Sequence, residues 1–203
     1  MVQQSVSDLD LVRGIKEGDQ FAFERLVERF RDRVYRLALR ISRNPQDAEE
    51  ITQDVFLTIY QKIGTFEARS AFSTWLYRIA TNAALMKIRR RQSVSELAIE
   101  DYLPQFTEEG HHRSPVTDWG EDPECPLLDQ EGREMLKSAI SALPPDYQVP
   151  VLLRDVEGLL NTEAAEVLGV SVPALKARLH RARLVLRGML ANYFRERESQ
   201  AAA

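Results

Sequence analysis

A helix-turn-helix pattern near the end of the chain constrains its fold more than any other feature. The segment 161–187 reads NTEAAEVLGVSVPALKARLHRARLVLR. Gly169 can adopt the positive φ that ends a first helix, and Ser171 can cap a second helix that accepts Pro173 in its first turn. Leu175 is then placed to pack back on the first helix. The pattern therefore predicts two helices held in a fixed turn.

The second of these helices is predicted to be apolar on one side and cationic on the other. Its apolar residues repeat every three or four positions, the spacing of a single buried stripe. They are Val172, Leu175, Leu179, Ala182, Leu186 and Leu190. The polar residues between them are Lys176, Arg178, His180, Arg181, Arg183 and Arg187. Because a solvated surface helix usually carries both signs of charge, this acid-free face favours DNA binding over a face that merely meets water.

Charge is distributed unevenly along the 203 residues, whose formal net charge is −4. Residues 1–92 carry 16 basic and 12 acidic side chains, residues 93–134 carry 2 and 12, and residues 135–203 carry 9 and 7. Two mildly basic blocks therefore flank an acidic connector, a pattern compatible with nucleic-acid binding. The single cysteine excludes an internal disulfide framework and fits a reducing cytoplasm. No apolar run approaches the length of a membrane span, so no membrane insertion is expected.

Helical periodicity without alternating β-branched runs predicts an all-α fold with two small helical domains. Residues 1–92 are expected to form a four-helix bundle with short connections. Proline, acidic and turn residues accumulate over residues 93–129, which predicts an acidic flexible linker. Helices resume over residues 130–190 as the helix-turn-helix domain, and residues 191–203 are expected to be a frayed tail.

Both helical blocks carry long and specific motifs. The first contains GDQFAFERLVERFRDRVYRLALRI, NPQDAEEITQDVFLTIYQKIGTF and SAFSTWLYRIATNAALMKIRRR. The second contains ALPPDYQVPVLLRDVEGL and the helix-turn-helix that ends RLHRAR. Together these motifs resemble bacterial RNA polymerase sigma factors of the extracytoplasmic-function class, within the sigma-70 superfamily. The resemblance covers residues 8–92 and 130–190 in the family's order and leaves only the connector unmatched.

The resemblance implies a transcription initiation factor that binds core RNA polymerase, directs it to specific promoters and opens the DNA. Residues 1–92 would be sigma region 2, which binds the polymerase and reads and melts the −10 element. Residues 130–190 would be sigma region 4, which reads the −35 element as duplex. The implied partners are promoter DNA, an anti-sigma factor, and core polymerase through its largest-subunit clamp helices and its flap. A role in stress response, a cytoplasmic location, no cofactor and no enzymatic activity are expected.

The resemblance also implies contacts with the −35 element on the recognition helix. These would be made by Lys176, Arg178, His180, Arg181 and Arg183. Arg181 is expected to pair with a guanine edge, whereas Arg178 and Arg183 are expected to hold phosphates. His180 is the weakest of these assignments, because a surface histidine without a partner is an equal alternative.

In the first block, the resemblance implies contacts with the −10 element. These would be made by Phe66, Ser70, Ala71, Phe72, Tyr77, Arg78, Asn82, Lys87, Arg89 and Arg90. Phe66 and Asn82 would form a pocket for a flipped base. Its lip would be formed by Ser70, Ala71 and Phe72. Ordinary packing under a loop is an equal alternative for Phe66. Phe72 and Trp75 are expected to be core residues first and strand contacts second.

The third predicted helix has an acidic face that is poorly suited to DNA. It resembles the segment that family members press on the polymerase clamp helices, through Asp47, Glu50, Gln53, Asp54 and Phe56. Asp47 and Glu50 could instead be acids that stabilise a helix N-terminus. The acidic connector has three interpretations: a solvated tether, a mimic of nucleic acid in the RNA exit path, or a mask over the basic blocks.

Other classes of function find less support in the sequence. An ordinary helix-turn-helix regulator with a sensing or dimerisation bundle is the alternative, but it needs neither the −10 pocket nor the acidic third helix. The sequence contains neither a glycine-rich phosphate loop nor a nucleophile elbow, so no motif indicates an enzyme. A metal site at His111, His112 and Cys125 is not expected, because adjacent histidines rarely reach the same ion.

Overall fold

The computed structural model describes residues 6–91 and 130–201, and every regular element within these ranges is helical. The N-terminal domain consists of α1 (Asp8–Lys16), α2 (Gln20–Ser42), α3 (Pro45–Lys62) and α4 (Phe72–Arg91). The C-terminal domain consists of α5 (Gln130–Ala142), α6 (Pro145–Val151), α7 (Asn161–Leu168) and α8 (Val172–Ala201). Ile63–Thr65 form a 3-10 turn and Leu152–Val156 a π-helical turn. The predicted all-α fold with two helical domains is confirmed, while the predicted linker lies outside the described residues.

Side chains at the starts of α2 and α3 satisfy backbone groups that a helix terminus leaves unpaired. Asp19 Oδ1 accepts from the backbone N–H of Phe21 at 2.9 Å. Asn44 Oδ1 accepts from the N–H of Asp47 at 3.0 Å, and Pro45 occupies the first helical position. Such caps each stabilise a helix by about 1 kcal/mol, so these boundaries are encoded locally.

The core of the N-terminal domain lies where α2, α3 and α4 pack against one another. Its most deeply buried large side chains are Leu26, Phe30, Leu37, Ile51, Ile59, Phe72 and Leu76. Each such side chain contributes roughly 1.5–3 kcal/mol by leaving water. Helix α1 packs on α2, and Lys16 Nζ donates to the carbonyl oxygen of Phe66 at 2.6 Å. This bond ties the loop before α4 to the first helix.

The buried face of α4 differs from the one that its apolar spacing predicts. The predicted stripe was Phe72, Trp75, Leu76, Ile79, Ala83 and Met86. Met86 is instead exposed, while Tyr77, Ala80 and Ala84 are buried. Helix α4 packs against α2, α3 and also α7 of the other domain. Three neighbours bury a wider arc of the helix than a two-helix contact would, which accounts for the additional buried residues, while Met86 lies outside that arc.

The helix-turn-helix is formed by α7 and α8 and follows the predicted local geometry. Gly169 ends α7 with a φ of 65°, and Ser171 Oγ accepts from the N–H of Ala174 at 3.3 Å. The predicted stripe of α8 is confirmed at Leu175, Leu179, Ala182 and Leu186, all buried. Neither Asn161 nor Thr162, the polar residues at the start of α7, occupies its N-cap position. Leu160 is the N-cap residue, and its N–H donates to Glu163 Oε2 at 2.7 Å.

Pro150 lies inside α6 and lacks the N–H that would bond to the carbonyl of Asp146, so it removes one hydrogen bond of that helix. Helix α6 ends at Val151, and the π-helical turn follows at once. At the other end of the domain, α8 continues to Ala201. The frayed tail over residues 191–203 stays a prediction.

None of the helices in residues 6–91 and 130–201 is long and apolar enough to cross a membrane.

Substitution of the two glycines around α8 should have opposite effects on stability. Gly169→Ala places a side chain at a positive φ and should lower the free energy of unfolding by about 1 kcal/mol. Gly188→Ala lies inside α8 with no atom within 4 Å of the added carbon, so it should raise that free energy by about 0.5–1 kcal/mol. Urea unfolding followed by circular dichroism measures both, and shifts of the same sign would contradict the assigned turn.

Candidate nucleic-acid interface

The polar face of α8 is presented to solvent opposite its buried stripe. Lys176, His180 and Arg181 are exposed, and Arg178 is partly buried. Because residues four apart share one helix face, Lys176 and His180 lie one turn apart, and Arg181 lies about 100° further around the helix. All three predicted −35 residues are therefore accessible on the solvent side of α8.

Arg183, the fifth predicted −35 residue, already holds a carboxylate. Its Nη2 lies 2.7 Å from Asp155 Oδ1 and its Nε 3.2 Å from Oδ2, a two-point contact. The hydrogen bond to Asp155 raises the pKa of the Arg183 guanidinium. Asp155 lies in the π-helical turn, so this contact joins that turn to α8. Asp155 therefore fixes the orientation of the cation and neutralises part of its charge.

Phe66 belongs to an aromatic cluster at the start of α4. Its ring centroid lies 5.7 Å from that of Phe72 and 5.3 Å from that of Trp75. Phe66 and Phe72 are buried, with 5% and 2% of their surfaces exposed. The packing alternative for Phe66 is thus confirmed in this arrangement, and a role in binding a flipped base stays a prediction.

The other predicted −10 residues on α4 and the loop before it are distributed over several environments. Arg78 and Asn82 are exposed and lie one helical turn apart. Ala71, Arg89 and Arg90 are also exposed, whereas Ser70 is partly buried. Arg78 and Asn82 thus form an accessible polar edge of α4.

Lys87 faces the acidic helix α3 and not the open edge of α4. Its ammonium group contacts Glu50 and lies 3.7 Å from Asp47 Oδ1. The hydrogen bond to Glu50 and the nearby acids raise the pKa of Lys87. A predicted DNA-binding cation is therefore paired with two predicted polymerase-binding acids, and both of those roles stay predictions.

Tyr77, expected to leave the apolar stripe and reach DNA, is buried in this arrangement. Only 5% of its surface is exposed, and its hydroxyl donates to Glu157 Oε2 at 2.9 Å. Burial, followed by the neighbouring Glu157 carboxylate, raises the pKa of Tyr77. Glu157 belongs to the C-terminal domain, so contact of Tyr77 with a DNA strand requires this bond to be replaced.

The apolar residues exposed beside the acidic surface of α3 are only in part the expected ones, Ile51, Phe56 and Tyr60. Glu50, Gln53 and Asp54 are exposed as expected, but Phe56 is buried. Leu57 and Tyr60 are exposed at 56% and 58%. The exposed apolar part of this face therefore consists of Leu57 and Tyr60.

Three residues at the candidate sites were not predicted from the sequence. Leu57 is exposed on α3, Asp155 pairs with Arg183, and Glu157 bonds to Tyr77. Leu57 carried a usable signal, because it falls outside the spacing of the buried residues Ile51, Val55 and Ile59. The two acids carried none, since their partners lie far away in the sequence.

Metal ligation finds no support among the residues that the structure describes. In that part of the chain, no group of three or more histidine, cysteine, aspartate and glutamate side chains could hold an ion. His111, His112 and Cys125 lie outside the described residues.

Comparison with known proteins identifies the family. Sigma-70 region 2 matches residues 26–94, and Sigma-70, region 4 matches residues 133–186. The ECF RNA polymerase sigma factor SigW of Bacillus subtilis is 34% identical over 88% of this chain and 94% of its own length. The chain belongs to the extracytoplasmic-function sigma factors. This sigma factor is also 36% identical to SigE of Mycolicibacterium smegmatis, over 91% of this chain and 68% of the relative. It is a promoter-specific transcription initiation factor, and the matches to both regions decide against an ordinary helix-turn-helix regulator.

Solved structures share the fold of this sigma factor. CnrH, solved in complex with the cytosolic domain of CnrY, aligns with a TM-score of 0.63 over 91% of this chain and 97% of its own, at 23% identity. The sigma factor RpoE of Bartonella quintana, solved with the anti-sigma factor NepR, aligns with a TM-score of 0.59 over 83% and 96%, at 22% identity. These likenesses support the two-domain helical fold.

Replacement of Phe66 should test how much its packing stabilises the N-terminal domain. Phe66→Ala removes a buried ring from the aromatic cluster and should lower the free energy of unfolding by about 3 kcal/mol. Phe21→Ala removes a ring that is 74% exposed and should change that free energy by less than about 0.5 kcal/mol. Chemical denaturation measures both. Equal losses for the two variants would contradict the packing role of Phe66.

Proposed function

We propose that α8 reads the −35 element through its exposed polar face. The observation that carries this proposal is the placement of Lys176, His180 and Arg181 on the solvent side of α8, opposite its buried stripe. A helix of this kind can enter the major groove, where an arginine pairs with the two acceptors of guanine. Arg181 is the base-reading candidate because it is exposed and no ion pair holds it in the described residues. Arg178 and Arg183 serve as phosphate contacts.

Recognition of the −10 element is assigned to the exposed polar edge of α4 and to the loop before this helix. Arg78 and Asn82 offer a cation and an amide, groups that suit a phosphate and a base edge. Arg89 and Arg90 extend the positive charge towards the end of the helix. Phe66 and Tyr77 contact the −10 element only after a conformational change in this proposal, because both side chains are buried here and must first become exposed. Extrusion of a base costs a few kcal/mol, which such contacts can partly offset.

Binding of core polymerase is assigned to the acidic face of α3. Leu57 and Tyr60 are large apolar side chains exposed beside Glu50, Gln53 and Asp54. An apolar centre with charged margins is typical of helix-in-groove docking. Tyr60 is held in place by an edge-on contact with Phe23, whose ring centroid is 5.2 Å away. A positioned aromatic side chain loses little conformational freedom on binding, which favours affinity.

Control by an anti-sigma factor is the remaining part of the proposed function. Structures that share this fold include complexes of CnrH with CnrY and of RpoE with the anti-sigma factor NepR. A partner that covers the faces of α3 and α4 would block both the polymerase and the DNA. The protein is proposed to act in the cytoplasm, by binding and without catalysis of its own.

The decisive experiment is run-off transcription with purified core bacterial RNA polymerase. The template is the region upstream of the gene for this sigma factor, and reactions are run with and without the protein. Discrete transcripts that require the protein are the expected result. If the protein fails to bind core polymerase but still binds duplex DNA, the proposed function is wrong.

Replacement of Arg181 and Arg183 should separate base reading from phosphate binding. Arg181→Ala should reduce discrimination between promoter variants by about 1–3 kcal/mol at one base pair. Arg183→Ala should weaken all sequences alike and leave the Asp155 carboxylate unpaired near DNA. Competition binding to promoter variants measures both effects.

Arg25→Ala serves as the control for these two variants, because Arg25 is exposed on α2, in the domain that does not contain the recognition helix. It should change neither affinity nor discrimination. If Arg183→Ala altered discrimination and Arg181→Ala did not, the two assignments would have to be exchanged.

Truncation of Leu57 should weaken the complex with core polymerase. Leu57→Ala removes apolar surface worth about 1.5 kcal/mol if it becomes buried, so affinity should fall roughly tenfold. Leu9→Ala is the matched control, since Leu9 is a similarly exposed leucine on α1. Fluorescence titration of labelled protein with core polymerase measures both affinities, and equal values for the two variants would reject this docking face.

A further inference from the structure

One carboxylate makes two polar contacts between the helical domains, beside the packing of α7 on α4. Glu157, which directly follows the π-helical turn, accepts from Arg40 Nη1 at 2.6 Å and from the Tyr77 hydroxyl at 2.9 Å. Arg40 lies on α2 and Tyr77 on α4, so the contact reaches two helices of the other domain. The Glu157 side chain is 10% exposed, which shields it from competing water and salt.

Two weaker hydrogen bonds lie beside this contact. Gln148 Nε2 donates to the carbonyl oxygen of Arg40 at 3.3 Å, and Arg43 Nη2 donates to the carbonyl oxygen of Leu143 at 3.5 Å. Both are long, and neither pairs two charges. The charged contact at Glu157 is therefore the strongest polar link between the domains in the described residues.

The face of α4 around Tyr77 also contains a source of instability. Thr74 and Thr81 lie three and four residues from Tyr77, so all three share one side of the helix. Both threonine hydroxyls are buried and make no hydrogen bond within residues 6–91 and 130–201. A buried hydroxyl without a partner destabilises the state that buries it. The hydrogen bond from Tyr77 to Glu157 lies on this same side of α4.

The closed contact is incompatible with simultaneous reading of two separated promoter elements. Elements named −35 and −10 lie about 25 base pairs apart, which is about 85 Å at 3.4 Å per pair. A compact chain of this length has a radius of gyration of about 17 Å. With Glu157 bonded to both Arg40 and Tyr77, the two domains touch, and they must separate to reach both elements.

We propose that Glu157 is an intramolecular latch that holds this sigma factor closed until core polymerase or promoter DNA separates its domains. In the closed state the latch covers Tyr77 and holds Arg40. This inference rests on the proposed function for its biological meaning, although the latch itself is a property of the free chain. Removal of either partner of the Arg40–Glu157 pair should shift the population towards open molecules by tenfold or more.

Small-angle X-ray scattering of the free, full-length protein tests the latch directly. Glu157→Gln should increase the radius of gyration by several Å, since the domains separate. Glu166→Gln is the matched control, because it removes an equal charge from an exposed position on α7 and should leave the scattering unchanged. Superimposable curves for Glu157→Gln and the unmodified protein would overturn the proposal.

A variant in the other domain guards against misfolding as an explanation. Arg40→Gln should open the protein as Glu157→Gln does, and the double variant should open it no further, because both changes break one contact. Circular dichroism should show unchanged helix content in every variant. Additive opening in the double variant would show that the two residues act separately and would overturn the latch.

The rate of association with core polymerase tests the regulatory part. Glu157→Gln should associate several-fold faster than Glu166→Gln, since fewer molecules must open before binding. Equal association rates combined with open scattering would overturn the regulatory role of the latch. A failure of the proposed function is distinguishable, because then no variant binds core polymerase while the difference in scattering persists.

Discussion

The burial of α4 against three neighbours is the constraint on which the rest of the structure depends. Helices α2 and α3 pack on it from within its own domain, and α7 packs on it from the other. The packing leaves one polar edge of the helix open, at Arg78 and Asn82. It also determines that Tyr77 faces the C-terminal domain. The accessible part of the proposed −10 surface is thus the part of α4 that α2, α3 and α7 leave uncovered.

Several of the side chains that are proposed to bind DNA are already bonded to carboxylates of the protein. Lys87 contacts Glu50, Arg183 contacts Asp155, and the Tyr77 hydroxyl bonds to Glu157. DNA binding at these groups is therefore an exchange of one anion for another. Such an exchange reduces the net gain from each phosphate contact and lowers affinity for arbitrary DNA. Residues without an acidic partner in the described part of the chain, Arg181 among them, are better placed to give sequence preference.

The parts of the fold that depend on neighbours in sequence could be predicted, and those that depend on distant contacts could not. The positive φ of Gly169 and the cap at Ser171 follow from residue type and spacing within a few positions. Tyr77 was expected to be accessible but is buried, because the third packing partner of α4 comes from the other domain. Phe66 offered two roles of equal weight, and only the surrounding rings showed its packing. The family's motifs gave the function of the site, whereas the acids that pair with its cations became visible only in three dimensions.

The π-helical turn after Pro150 has a consequence for the direction of Glu157. In the turn, the N–H of Glu157 bonds to the carbonyl of Leu152, five residues earlier, where an α-helix would use four. One additional residue is thereby accommodated, so the side chains that follow are rotated by about 100° relative to an uninterrupted α-helix. The phase of the backbone after this turn thus determines whether the carboxylate faces its own domain or the neighbouring one.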